Sequence, residues 1–185
     1  ALLAQLEKPG VNDAVAFSFY PAGGFSDPSY NKTVDCPPSG SDANCQGDKY
    51  EACILHTLCG GVSCKSSADQ LKLATFLHCF EGVHSGQLSD ADGCASSAGL
   101  SVTTIRGCYD DDDSKAAAWA ALQAAAAPTL PGIKCFPWIE VNGVVESKSY
   151  TKGCFGTDAA KTPLLPLICD AASDPKPAAC NTRAE

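Results

Sequence analysis

Twelve of the 185 residues are cysteine: Cys36, Cys45, Cys53, Cys59, Cys64, Cys79, Cys94, Cys108, Cys135, Cys154, Cys169 and Cys180. Cysteine supports three chemistries: thiol–disulfide exchange, metal ligation and structural cross-linking. Exchange needs one thiolate to attack a disulfide and a second thiol to resolve the mixed disulfide. A Cys-x-x-Cys pair at a helix N-terminus supplies both, because the helix dipole lowers the first thiol's pKa. No Cys-x-x-Cys occurs anywhere in the chain. The histidines His56, His78 and His84 share no spacing with a cysteine pair, so neither a zinc site nor another metal or cofactor is expected. Cross-linking remains. An even number of cysteines fits a disulfide framework in an oxidising compartment.

Asn31-Lys32-Thr33 is an N-glycosylation sequon within a stretch rich in Gly, Pro, Ser and Asp. Beside so many cysteines it points to the secretory route, with Asn31 as the glycan acceptor. Thirteen basic residues against 21 acidic give a net charge of −8. That excludes a phosphate-binding surface built from clustered Lys and Arg, so nucleic acid is not an expected partner. No apolar run reaches the roughly 18 residues of a membrane span. The chain opens at Ala1 and has no Met, which reads as a processed product or an incomplete copy.

The elements that must position the cysteines follow from the pattern. Leu2, Leu3 and Leu6 have helical spacing that stops before Pro9-Gly10. Residues 14–20 alternate, with Val15, Phe17 and Phe19 facing one way, and predict a strand. Residues 21–35 read as a loop. Asp48 followed by Glu51 matches a capping box and predicts a helix through Cys53, Ile54 and Leu58. A second helix is expected over about 68–80, and a shorter helical stretch between Cys94 and Cys108. Asp110 to Asp113 precede an Ala-rich helix over 116–127 that carries Trp119 and Leu122. Acids there complement the helix dipole, and their spacing is not that of an EF-hand loop. Pro137 leads into Ile139 and Val141, then Asn142-Gly143 supplies a tight turn into Val144-Val145, which predicts a β-hairpin. Pro137 is also a candidate for a cis peptide bond. Thr157 caps an expected last helix through Cys169, with a kink at Pro166.

Together these residues carry a family resemblance. Pro137-Trp138-Ile139, then Val141-Asn142-Gly143, and two late cysteines with ten residues between them, Cys169 and Cys180, resemble the gamma-interferon-inducible lysosomal thiol reductase family. So do Cys36, Gly40, Cys45 and Cys53 and the stretch Tyr50-Glu51-Ala52-Cys53-Ile54-Leu55. Asp48 stands in place of the family's Asn, and Pro37-Pro38-Ser39 replaces its Gln-His pair, in a loop two residues longer. Eight cysteines (Cys36, Cys45, Cys53, Cys79, Cys94, Cys108, Cys169 and Cys180) fall at family-like positions; Cys59, Cys64, Cys135 and Cys154 are extra.

The resemblance implies an α/β, thioredoxin-like sheet, rich in disulfides, with a helical insertion over about 45–127. The whole of 1–185 then forms one domain, N-terminally incomplete. Its first, central strand and its redox Cys-x-x-Cys are expected upstream of Ala1. The gap is filled by that upstream segment or by a strand from a partner protein. The implied activity is thiol–disulfide oxidoreduction on disulfide-containing protein substrates, in the lysosome or vacuole or outside the cell, with Phe136 and Pro137 as the loop facing the redox centre. The alternative is a non-catalytic, disulfide-braced glycoprotein serving as a structural or assembly subunit. Proximity in the chain suggests the pairs Cys36–Cys45, Cys53–Cys79, Cys94–Cys108 and Cys169–Cys180, a local Cys59–Cys64 bond across Gly60-Gly61, and Cys135–Cys154 around the hairpin. A redox thiol at Cys135 is the other reading of that last pair.

Overall fold

The computed structural model describes residues 2–21, 26–27, 32–33, 43–84, 86–126, 140–141, 144–145 and 164–181. In chain order the elements are α1 (Leu2–Leu6), α2 (Val11–Ala14), β1 (Ser26–Asp27), β2 (Lys32–Thr33), α3 (Ala43–Ile54) and α4 (Ser67–Leu77). Then come α5 (Leu88–Ser97), α6 (Val102–Tyr109), α7 (Asp112–Ala126), β3 (Glu140–Val141), β4 (Val144–Val145) and α8 (Leu164–Ala171). Two π-helical turns, Leu55–Cys59 and His78–Val83, continue α3 and α4, and a 3-10 turn covers Ala178–Cys180. The chain divides into two compact units: Ala1–Ala16 with Gly132–Glu185, and Phe17–Pro131.

In the first unit, Gly10 adopts φ 76° between α1 and α2, a left-handed conformation that glycine takes without a Cβ penalty. Leu6 and Val11 are buried there. The Ala179 N–H donates to the Pro9 carbonyl at 3.2 Å, and Cys169–Cys180 ties α8 to the 3-10 turn. The helix α8 begins at Leu164, which puts Pro166 in its first turn, where the missing N–H has no helical acceptor to lose. β3 and β4 pair antiparallel in the register Glu140↔Val145 and Val141↔Val144, as expected for a hairpin with a two-residue connection.

The second unit is a helical bundle, and it contains the residues expected as a helical insertion. α3 runs against α5, α6 and α7. Its core stacks Tyr50, Phe76 and Phe80, with ring centroids 6.2 and 5.2 Å apart, beside Ile54, Leu73, Ile105, Trp119 and Leu122. Capping follows local chemistry. The Ser66 hydroxyl accepts the Asp69 N–H at 3.1 Å and donates to the Asp69 carboxylate at 2.7 Å, a reciprocal cap on α4. Ser101 caps α6 by accepting the Thr104 N–H, and Asp111 caps α7 by accepting the Ser114 N–H at 2.8 Å. Gly60, at φ 68°, closes the turn after α3 by donating to the His56 carbonyl.

The structure corrects the expected α/β, thioredoxin-like sheet. The described residues are mostly helical, and their strands form only two separate antiparallel pairs, β1–β2 and β3–β4. Residues 14–20 form no sheet strand: their one bridge is Ser18↔Ser63. The alternation that suggested a strand has another cause. The Phe17 N–H donates to the Gln70 side-chain oxygen at 3.0 Å, and the Phe19 N–H to the Val62 carbonyl at 2.9 Å. The backbone is satisfied by the helical bundle, while Phe17 and Phe19 pack on its core. A second correction concerns α3. It starts at Ala43, so Asp48 and Glu51 sit inside the helix and do not cap it. The expected loop over 21–35 contains the β1–β2 pair.

Candidate functional site

Every cysteine among the described residues is disulfide-bonded. Cys59–Cys64 and Cys169–Cys180 pair as proximity in the chain suggests. Cys53 instead pairs with Cys108, and Cys79 with Cys94, in place of Cys53–Cys79 and Cys94–Cys108. The geometry of the bundle explains the exchange. Cys53 on α3 faces α6, where Cys108 lies at a Cα separation of 5.8 Å, and the π turn after α4 brings Cys79 to Cys94 on α5 at 5.5 Å. Both distances suit a disulfide. Cys45 is bonded to a cysteine outside the described residues. Phe136, Pro137, Asn31, Cys36, Cys135 and Cys154 also lie outside them, and with them the cis-proline reading and the glycan acceptor.

Cys79, His84 and Cys94 place their sulfur and ring-nitrogen atoms within 4.8 Å of one another, an arrangement with metal-ligand spacing that was not visible in the sequence. The two sulfurs are bonded to each other, so the group offers no thiolate to a metal in this state. The His84 Nδ1 is 3.6 Å from the Asp90 carboxylate.

The bundle also brings acids together. Glu51, on the inner face of α3, is only 2% exposed. Its Oε1 has no hydrogen-bond partner among the described residues. Burial pushes its pKa well up, and the charge and hydrogen bond of Glu81 push it further. Glu81 is also raised, by burial, with its hydrogen bond to Glu51 opposing. A carboxyl group removed from water and hydrogen-bonded to another carboxyl group holds its proton, because burial and the neighbouring negative charge both disfavour ionisation. The helical position was a usable signal: Glu51 lies three and four residues before the buried Ile54 and Leu55, on the same face.

A polar clamp joins three helices. Arg106 on α6 donates to Asp92 on α5 through Nε at 2.9 Å and through its second terminal nitrogen at 3.0 Å. The Tyr50 hydroxyl on α3 donates to the same carboxylate at 2.7 Å. The guanidinium lies 5.6 and 5.5 Å from the ring centres of Tyr50 and Tyr109, within cation–π range. The Arg106 hydrogen bonds hold the Asp92 carboxyl below the usual range, and burial with the Asp92 bond raises the Tyr50 phenol. The four residues are spread from 50 to 109 in the chain, so no local motif announces them.

A family model described as Gamma interferon inducible lysosomal thiol reductase (GILT) matches residues 1–98. No curated protein and no solved structure matches the chain. Among the described residues no helix is long and apolar enough to cross a membrane.

Proposed function

This chain belongs to the gamma interferon inducible lysosomal thiol reductase family, and on that premise we propose that it is part of a thiol–disulfide oxidoreductase acting on disulfides in protein substrates. The family match over residues 1–98 carries the reading, since that stretch contains the Cys36, Cys45 and Cys53 signature. The attacking and resolving thiols are supplied from outside residues 1–185, which contain no Cys-x-x-Cys. The Phe136-Pro137 loop faces that pair, Asn31 carries a glycan, and the protein works along the secretory route, in the lysosome or vacuole or outside the cell. Thiol exchange needs no cofactor.

The test is to sequence the transcript upstream of Ala1, produce the full-length protein and assay reduction of a disulfide-bonded protein substrate. A Cys-x-x-Cys whose Cys→Ser variants lose the activity is the expected result. A full-length protein with no such pair and no activity would overturn the reading. It would favour the second one, a disulfide-braced glycoprotein that is structural or assembles with other proteins. That second reading is supported by the bonded state of every described cysteine.

A further inference from the structure

We propose that the Cys79–Cys94 disulfide is itself a redox-exchange site, with His84 delivering and removing the proton at its sulfurs and Asp90 holding the imidazole. Three observations converge on it. A ring nitrogen of His84 lies within 4.8 Å of both sulfurs. Asp90 stands 3.6 Å from the His84 Nδ1, and Ser89 donates to the other oxygen of that carboxylate at 3.2 Å. The two ends of the bond differ in access: Cys79 and His84 are partly exposed, whereas Cys94 is 1% exposed. None of the other described disulfides has a histidine and a carboxylate grouped at its sulfurs in this way.

The chemistry follows from that asymmetry. A thiolate of an external dithiol attacks Sγ of Cys79, forming a mixed disulfide and breaking the bond to Cys94. The electron pair leaves on Sγ of Cys94, a buried position where an unprotonated thiolate is costly. Protonated His84 gives it a proton, which lowers the cost of departure. The second thiol of the reductant then gives its proton to the now neutral His84 and attacks the reductant's own sulfur in the mixed disulfide, and the departing Cys79 thiolate takes that proton back from the imidazolium. Two electrons and two protons have passed from the dithiol to Cys79 and Cys94, and the reductant leaves as a cyclic disulfide. Oxidation runs the same steps backwards, with neutral His84 taking the proton from the Cys94 thiol. The site requires only a dithiol and does not depend on a Cys-x-x-Cys elsewhere in the protein.

The experiment uses the oxidised secreted protein, exposed under native conditions to limiting dithiothreitol, quenched in acid, alkylated and mapped by mass. Cys79 and Cys94 are expected to label at least about tenfold faster than Cys53 and Cys108. His84→Gln slows their labelling about tenfold or more and leaves both the Cys53–Cys108 rate and the melting temperature unchanged. Asp90→Asn gives a smaller slowing, and a monothiol traps its adduct on Cys79. Equal labelling of the two disulfides, an unchanged rate in His84→Gln, or adducts on Cys94 would each overturn the proposal. If His84→Gln melts lower, Asp90→Asn decides: an unslowed Cys79–Cys94 rate in that variant also overturns it.

Discussion

Glu51 on α3 and Glu81 on the π turn after α4 are joined by a hydrogen bond between their carboxyl groups, and Glu51 is buried, only 2% exposed. The folded unit therefore holds a proton that the unfolded chain releases near the ordinary glutamate pKa, about 4.3. Stability from that proton is fully present below this value and is lost as pH rises through the raised value of Glu51. Asp92 has the opposite sign: its carboxyl is depressed by Arg106, so its contribution is lost only as pH falls below the ordinary aspartate range.

The helical unit is thus expected to melt higher near pH 4.5 than at neutral pH. Glu51→Gln keeps a donor for Glu81 and removes the charge. It should flatten that pH dependence and raise the melting temperature at neutral pH toward its value near pH 4.5, since glutamine has no proton to lose. Thermal melts from pH 4 to 8 check both. A wild-type melting temperature that climbs toward neutral pH would remove the carboxyl pair as the cause.

Arg106→Ala releases Asp92 from its forked contact and removes two cation–π contacts, while the Tyr50 hydroxyl keeps its bond to Asp92. Both ion-pair partners are more than a third exposed, at 34% and 42%, so the Coulombic share is small. The expected loss is about 1–2 kcal/mol, mostly from packing of the Arg106 stem and guanidinium against the Tyr50 and Tyr109 rings. Arg106→Lys should recover less than half, since a single ammonium cannot reproduce the forked contact. Chemical denaturation of both variants measures it; full recovery by Lys would show that charge alone matters.

The disulfides should differ sharply in worth. Cys53–Cys108 closes a separation of 55 residues, for which chain entropy gives about 4 kcal/mol, against about 2 for the five-residue separation of Cys59–Cys64. Cys59→Ser with Cys64→Ser is expected to fold and melt only modestly lower. Cys53→Ser with Cys108→Ser is expected to lose most of its cooperative transition. Secretion yield and near-ultraviolet circular dichroism compare the two pairs, and collapse of the Cys59/Cys64 variant would contradict the ordering.

Gly47 lies where α3 meets the segment after α4. A Cβ there would stand 2.9 Å from the Gly86 carbonyl oxygen and 3.3 Å from the Phe80 ring. Backbone is the obstacle, so Gly47→Ala should cost about 1–3 kcal/mol despite alanine's higher helix propensity. Gly93→Ala on α5, with nothing near, is the control and should be neutral or stabilising. A stabilising Gly47→Ala would mean that the two segments part without cost.

Helices were legible where apolar spacing or charge is local, as in α4 and in α7 with its leading acids, whereas the Ser66 cap was not read and the Asp48–Glu51 cap was misplaced. The hairpin register at Val141 and Val144 was legible because turn chemistry is encoded in adjacent residues. The sheet was not. Val15, Phe17 and Phe19 alternate in any extended segment with one buried side, and the sequence does not say whether strands or helices cover it. The Cys53–Cys108 bond, the Glu51–Glu81 pair and the Asp92–Arg106 clamp each join residues from different helices. Only the packing of the helices on one another brings them within reach.

Cys53–Cys108 spans both Cys59–Cys64 and Cys79–Cys94. A protease that cuts the backbone once, anywhere between Cys53 and Cys108, leaves both new ends on one covalent molecule. No fragment is shed, the helices on either side of the nick remain tethered, and the cut segments can re-dock. In surroundings rich in hydrolases the bundle survives its first cleavage as a single species, and no pieces part until the outer bond, with any inner bond that also brackets the nick, is reduced.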